Sequence, residues 1–161
     1  MASDYYLKIE GITGESQAVD MEDTIELDSF SFGASNPADV GGKGLSGGKA
    51  SLSDFSFSCS VDSSSHQILK ALYSGQHIPS ITFTGRKTGG DGKPYPYLKA
   101  IMSHCYMTNH STGGGSSGLP TQSVSFAYEQ IEWQYFTQDT DSGSVKQAGA
   151  ATYNIGAVQQ T

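Results

Sequence analysis

The side chains best suited to chemistry are four histidines, His66, His77, His104 and His110. No HExxH pair occurs among them. His104 and His110 fall on one face of an extended segment. Six residues at about 3.3 Å each put them roughly 20 Å apart, too far for one ion. Asp139, Asp141 and Gly143 echo a calcium loop but lack most of its ligands, including the closing Glu. Residues 42–47 fit GxGxxG, yet the segment after them alternates like a strand, whereas a pyrophosphate needs a helix N-terminus there. Lys49 comes after Gly48, but Ala50 stands where a phosphate loop requires Ser or Thr. Residues 114–118 fit GxSxG around Ser116. A nucleophile elbow joins a strand to a helix; this stretch joins two strands and reads as a hairpin tip. The sequon at Asn109 acts only in a glycosylating compartment. The expectation is therefore no catalytic residue, no cofactor and no metal site.

Composition narrows the choice of function further. The chain has 161 residues, a net charge of −7 and nine Lys and Arg, so the electrostatic footprint of a nucleic-acid binder is missing. The start, MASDYYLKIEG, has neither a basic nor an apolar run, so no signal peptide is expected. No stretch reaches the ~20 apolar residues of a membrane span. The chain is expected to begin in the cytoplasm, with any export proceeding without a cleaved leader. Cys59 and Cys105 each share parity with apolar neighbours and read as small buried hydrophobes rather than a disulfide framework.

The elements that must carry these residues are mostly strands. Tyr5, Leu7 and Ile9 alternate with polar residues, as do Phe55, Phe57, Cys59 and Val61. Residues 25–34 begin with Ile25 and Leu27 on one parity and continue with Phe30 and Phe32 on the other. A bulge or a change of facing partner would produce that flip. One helix is expected over about 65–74, with Ser64 and Gln67 as a capping box, Gly75 as the left-handed stop and Pro79 beyond. Too short to stand alone, it must dock on the β body. Asp91-Gly92 marks a hairpin before two long strands, 97–109 and 121–136. A polar tail over 137–149 precedes a short last strand near 152–155. Residues 35–49 form a long loop with little to bury.

Both long strands carry apolar residues on both parities. Val124, Phe126 and Tyr128 give way to Ile131, Trp133 and Tyr135. A barrel with a wet exterior needs only one apolar face, so the second implies a covering neighbour. Tyr97, Ile101, Tyr128 and Trp133 are the candidate inter-subunit positions.

The run KIEGITGES (8–16), GGK (47–49) before DFSF (54–57), VDSSS (61–65), SGQHI (74–78) and the STGGG hairpin (111–115) occur in order over nearly the whole chain. Together they resemble the haemolysin-coregulated protein (Hcp) family of type VI secretion systems. Where many members carry a Gly-Trp pair near the end, this chain has Thr152-Tyr153-Asn154. The resemblance implies a mainly β fold: one domain over 1–161, a small closed barrel of two antiparallel sheets with one short helix. Six copies would form a ring, and rings would stack into a hollow tube. A contractile sheath on a baseplate would drive the tube, with a spike protein at its tip, into a target cell. Small effectors would ride in the lumen. By the same analogy the 35–49 loop reaches the next ring, through Asn36, Asp39, Lys43, Leu45 and Lys49. Two competing readings are an esterase using Ser116 and a monomeric β-sandwich module binding a glycan or protein.

Overall fold

The computed structural model describes residues 3–37, 41, 48–139, 141–156 and 159–160. The chain opens with β1 (Ser3–Ile9) and, after a long loop, β2 (Ile25–Leu27) and β3 (Ser29–Ser31). Short strands β4 (Ala34–Ser35) and β5 (Ser51–Leu52) pair with each other at the base of the 35–49 loop. Then come β6 (Phe55–Ser60), helix α1 (Ser65–Ser74) and β7 (Ile78–Thr88). The long strands β8 (Pro94–Gly113) and β9 (Thr121–Gln138) are followed by β10 (Val145–Asn154) and β11 (Gln159–Gln160). Among the described residues the strands make a nine-stranded sheet and the two-stranded β4–β5 pair, all antiparallel.

The large sheet curls nearly closed through one segment. β2 pairs with β1, and β3 pairs with β6. The switch of partner falls at Asp28, whose N–H donates to Ser58 O at 2.8 Å. Of the two causes that the parity flip allows, a bulge or a change of facing partner, this is the second. Ile25 and Leu27 are buried from one half, and Phe30 packs against the same core from the other. β9 is shared along its second edge: Thr121 to Phe126 face β6, while Gln130 to Gln138 face β10.

The two-faced pattern of the long strands has a different cause from the one expected. Cys105 pairs with both Ile78 and Tyr128, and Met102 with both Ile81 and Ile131; all six are buried in one core. Along each strand the inward parity changes between these two rows. Two successive residues therefore turn away from the core: Pro79 and Ser80, Ser103 and His104, Glu129 and Gln130. His104 has φ 55, a left-handed conformation within the strand. A crease thus crosses three adjacent strands and resets their phase, much as a bulge re-aims side chains. Ile131 belongs to the chain's own core, and the partly buried Trp133 packs against it.

Helix α1 matches its expected bounds and presents Ile68, Ala71 and Leu72 to the core. Its N-terminus differs from expectation, since Ser64 makes no side-chain cap. Asp62 Oδ1 instead accepts the Ser64 N–H at 2.9 Å and also its hydroxyl. A carboxylate is the stronger acceptor, so it takes the bond that the capping box would have made. At the other end Gly75 has φ 64, and Gln76 N–H reaches Ala71 O at 2.9 Å. Nothing lies within 4 Å of a Cβ placed on Gly75, so space is no obstacle there. Gly75→Ala should cost only the left-handed penalty, about 1–2 kcal/mol, read as a lower urea midpoint at unchanged m.

The last region departs most from the sequence reading. The residues expected to end a polar tail form the first half of β10, which starts at Val145. VKQAGA shows no alternation because nearly all of it is exposed; backbone pairing with β9, interrupted by an irregularity between Gln147 and Gly149, makes it a strand.

Candidate functional site

Cys59 and Cys105 lie in the core as free thiols. Burial pushes Cys59 up to about 11 and Cys105 up to about 12. The thiolate is the reactive form, so both should resist Ellman's reagent at pH 8 until the chain unfolds. These protons are held more tightly folded than unfolded. Stability should accordingly fall as pH rises past the unfolded thiol value of about 8.5.

Ser116 sits on the exposed 114–120 turn between β8 and β9. The nearest histidine in sequence, His110, is occupied by Gln122 Oε1 at 2.8 Å and Thr112 Oγ1 at 3.3 Å. Among the described residues no group of three or more His, Cys, Asp and Glu is placed to hold a metal ion. The features that remain are surfaces.

One surface is a hydroxyl-rich sheet face on β3, β6, β8 and β9. Ser29 and Ser58 hydroxyls meet at 2.6 Å, and Ser56 and Ser125 at 2.8 Å. They border a shallow hollow of about 350 Å³ lined by no ionisable side chain. Opposed serines across a ladder satisfy each other and leave a smooth polar carpet.

A second surface is the β10 edge. Among the described residues β11 covers it only at Tyr153 and Asn154, so the stretch from Val145 to Thr152 has β9 on one side and no strand on the other. Beside it Leu98, Trp133, Tyr135, Gly149, Ala150 and Ala151 line a shallow, almost wholly apolar depression of about 270 Å³. Open edges invite pairing with another chain. Small residues let that chain approach closely.

Of the four candidate inter-subunit residues, Trp133 lines this depression and the other three do not. Tyr128 is buried, with its hydroxyl donating to Ser53 O at 2.8 Å, and burial together with the Asp54 charge raises its phenol. Trp133 packs on Phe32 and Phe83, with ring centroids at 5.3 and 6.3 Å. Tyr97 is half-buried against Tyr5, Tyr135 and Lys87. Ile101, next to inward Met102, is half-buried on the other parity. For Tyr128 the crease explains the difference: parity alone had assigned this core residue to the outside. Of the loop candidates, Asn36 and Lys49 are exposed beside the β4–β5 pair, while Asp39, Lys43 and Leu45 lie outside the described residues. The free β10 edge was missed, since exposed strands leave no hydrophobic period to read. Its only sequence signal was the small-residue run Ala148-Gly149-Ala150-Ala151.

The comparisons bear on the whole chain. The profile of the family described as type VI secretion system effector, Hcp, matches residues 6–135. Protein hcp1 of Pseudomonas aeruginosa is 30% identical over 155 residues, covering 95% of this chain and 94% of that protein. The solved structure of a type six secretion system protein is 25% identical with a TM-score of 0.91, covering 99% of this chain and all of that one. Hcp1 from Salmonella typhimurium is 26% identical with a TM-score of 0.79, over the full length of both chains. With its nearly closed barrel, its helix α1 and this agreement from end to end, the chain belongs to the Hcp family of type VI secretion system proteins.

Proposed function

We propose that this chain is the ring-forming subunit of a type VI secretion inner tube, a structural conduit and export carrier rather than an enzyme. The observation that carries the reading is the open β10 edge with its apolar depression, a surface unfinished in one copy. A second copy adding its sheet edge there would satisfy the free backbone groups, and six such contacts would close a ring without leaving edges. Rings would stack through the 35–49 loop, where exposed Asn36 and Lys49 flank the residues reaching the next ring. The serine carpet suits a lumen wall: wetted and uncharged, it would hold small effectors without gripping them.

The partners in this reading are the spike protein at the tip, the contractile sheath and the baseplate. Nucleic acid is disfavoured by the −7 charge, and membrane insertion is not part of the role. The protein would start in the cytoplasm and leave through the machine itself. Among the described residues no helix is long and apolar enough to cross a membrane.

Light scattering on the purified chain should give the mass of six copies, and electron micrographs should show rings with a central hole. A single copy that stays single at high concentration would instead point to the monomeric binding module.

A further inference from the structure

We infer that Val19, carried on a strap over residues 13–24, is the knob that fills the apolar depression beside β10 of the next copy in the ring. The inference rests on the ring reading above and names the surface that meets the β10 edge. Val19 is 71% exposed, on a segment built to hold it still. Gly14 N–H donates to Asp23 O at 2.8 Å, Asp23 N–H to Ser16 O at 2.9 Å and Ser16 N–H to Thr24 O at 3.0 Å. The two arms run so close that a Cβ on Gly14 would collide with Thr24 O. Asp20 and Asp23 turn the chain with φ 65 and φ 64, in the left-handed region. From beneath, the buried Arg86 donates from Nη1 to Val19 O at 2.7 Å. Its guanidinium carbon lies 4.8 Å from the centre of the Tyr6 ring, so the clamp is itself held in place. A knob ordered in advance loses little freedom on binding.

Knob and hollow stand at one level of the sheet. Tyr5, Gly85, Leu98, Tyr135 and Gly149 form a single row of cross-strand partners from β1 to β10. Arg86 is one residue from that row, and Leu98, Tyr135 and Gly149 line the depression. The two patches are thus separated across the strands and not along them, which suits head-to-tail contacts that close a ring. Charge is complementary as well. Between Lys8 and Lys43 the sequence has no Lys or Arg, and the strap carries Glu15, Asp20, Glu22 and Asp23. From Ser142 to Thr161 it has no Asp or Glu. Lys146 pairs with Thr137, two residues along β9 from Tyr135, and so lies on the same face as the depression. With Val19 seated, the neighbouring Asp20 faces that lysine. An exposed pair of this kind orients a contact more than it strengthens it; burial of Val19 supplies the affinity.

Val19→Cys and Ala151→Cys, combined in the full chain and oxidised with diamide, should give a ladder of two to six chains on a denaturing gel. Either cysteine alone should stay at one chain, because Cys59 and Cys105 are buried. Val19→Asp should raise the chain concentration at half-assembly by about tenfold or more, the worth of a buried valine, with circular dichroism unchanged. Lys146→Glu should raise it by roughly two- to fivefold. A double-cysteine variant that scatters light as six chains yet gives no ladder overturns this contact and leaves the ring reading standing. So does an unchanged half-assembly concentration in Val19→Asp, which decides the matter if the double variant does not assemble. A parent that scatters as one chain overturns both.

Discussion

Ala151→Arg should turn the ring into single, fully folded chains. Ala151 pairs with Trp133 across β9–β10 and is exposed in one copy, lining the apolar depression beside the free edge. In the isolated chain an arginine there has water around it, and the backbone pairing that makes β10 a strand does not depend on its side chain. Its cost to folding should stay within the range of ordinary surface changes, about 0.5 kcal/mol. In a closed ring the same arginine would be a cation buried in an apolar contact without a carboxylate, a loss of about 3–5 kcal/mol at each contact. Light scattering should move from the mass of six chains to that of one, while circular dichroism keeps its strand signature. A variant that still elutes at the parent's mass would remove β10 from the ring contact, whatever the family's architecture.

Phe83→Ala should be the most damaging single change inside the barrel. Phe83 is fully buried and is the ring on which the core's aromatic side chains converge. Phe30 lies 4.4 Å away, Phe55 5.4 Å, Tyr5 5.9 Å and Trp133 6.3 Å between centroids. Those partners come from β1, β3, β6 and β9, so little backbone freedom is left to close the hole. Truncating such a phenylalanine costs about 3–5 kcal/mol, against a total near 5–15 kcal/mol for a domain. Measured in the Ala151→Arg background, which removes the contribution of assembly, the urea midpoint should fall by roughly 1.5–2.5 M. Tyr73→Ala, at a helix position 77% exposed, should barely move it. A midpoint shift below about 0.5 M for Phe83→Ala would mean the barrel relaxes around the cavity, contrary to the packing described.

Much of this was readable from residue order. Phe55, Phe57 and Cys59 alternate with serines because one side of β6 is core and the other wet, and the period of two records that directly. The helix was legible from its apolar spacing and from Gly75, whose left-handed geometry only glycine adopts without strain. The flip between Leu27 and Phe30 was also visible, although a bulge and a change of partner explained it equally well. Its counterpart in the long strands was visible but misread. Tyr128 and Ile131 looked like opposite faces, yet both turn into the same interior.

What residue order determined by itself is the alphabet of this protein: which segments are strands with a dry side, where the helix stops, and the family. What tertiary structure alone decided is phase and partnership. A side chain's parity tells its face only while the strand runs straight, and the line along which three neighbouring strands bend is set jointly, by residues far apart in the chain. β10 shows the same limit from the other direction. Its place comes from backbone hydrogen bonds to β9, and N–H and C=O groups are alike in every residue but proline, so no side-chain pattern announces them. His77 and His104 meet for that reason as well: only the crease brings the end of one connection against the bend of another strand.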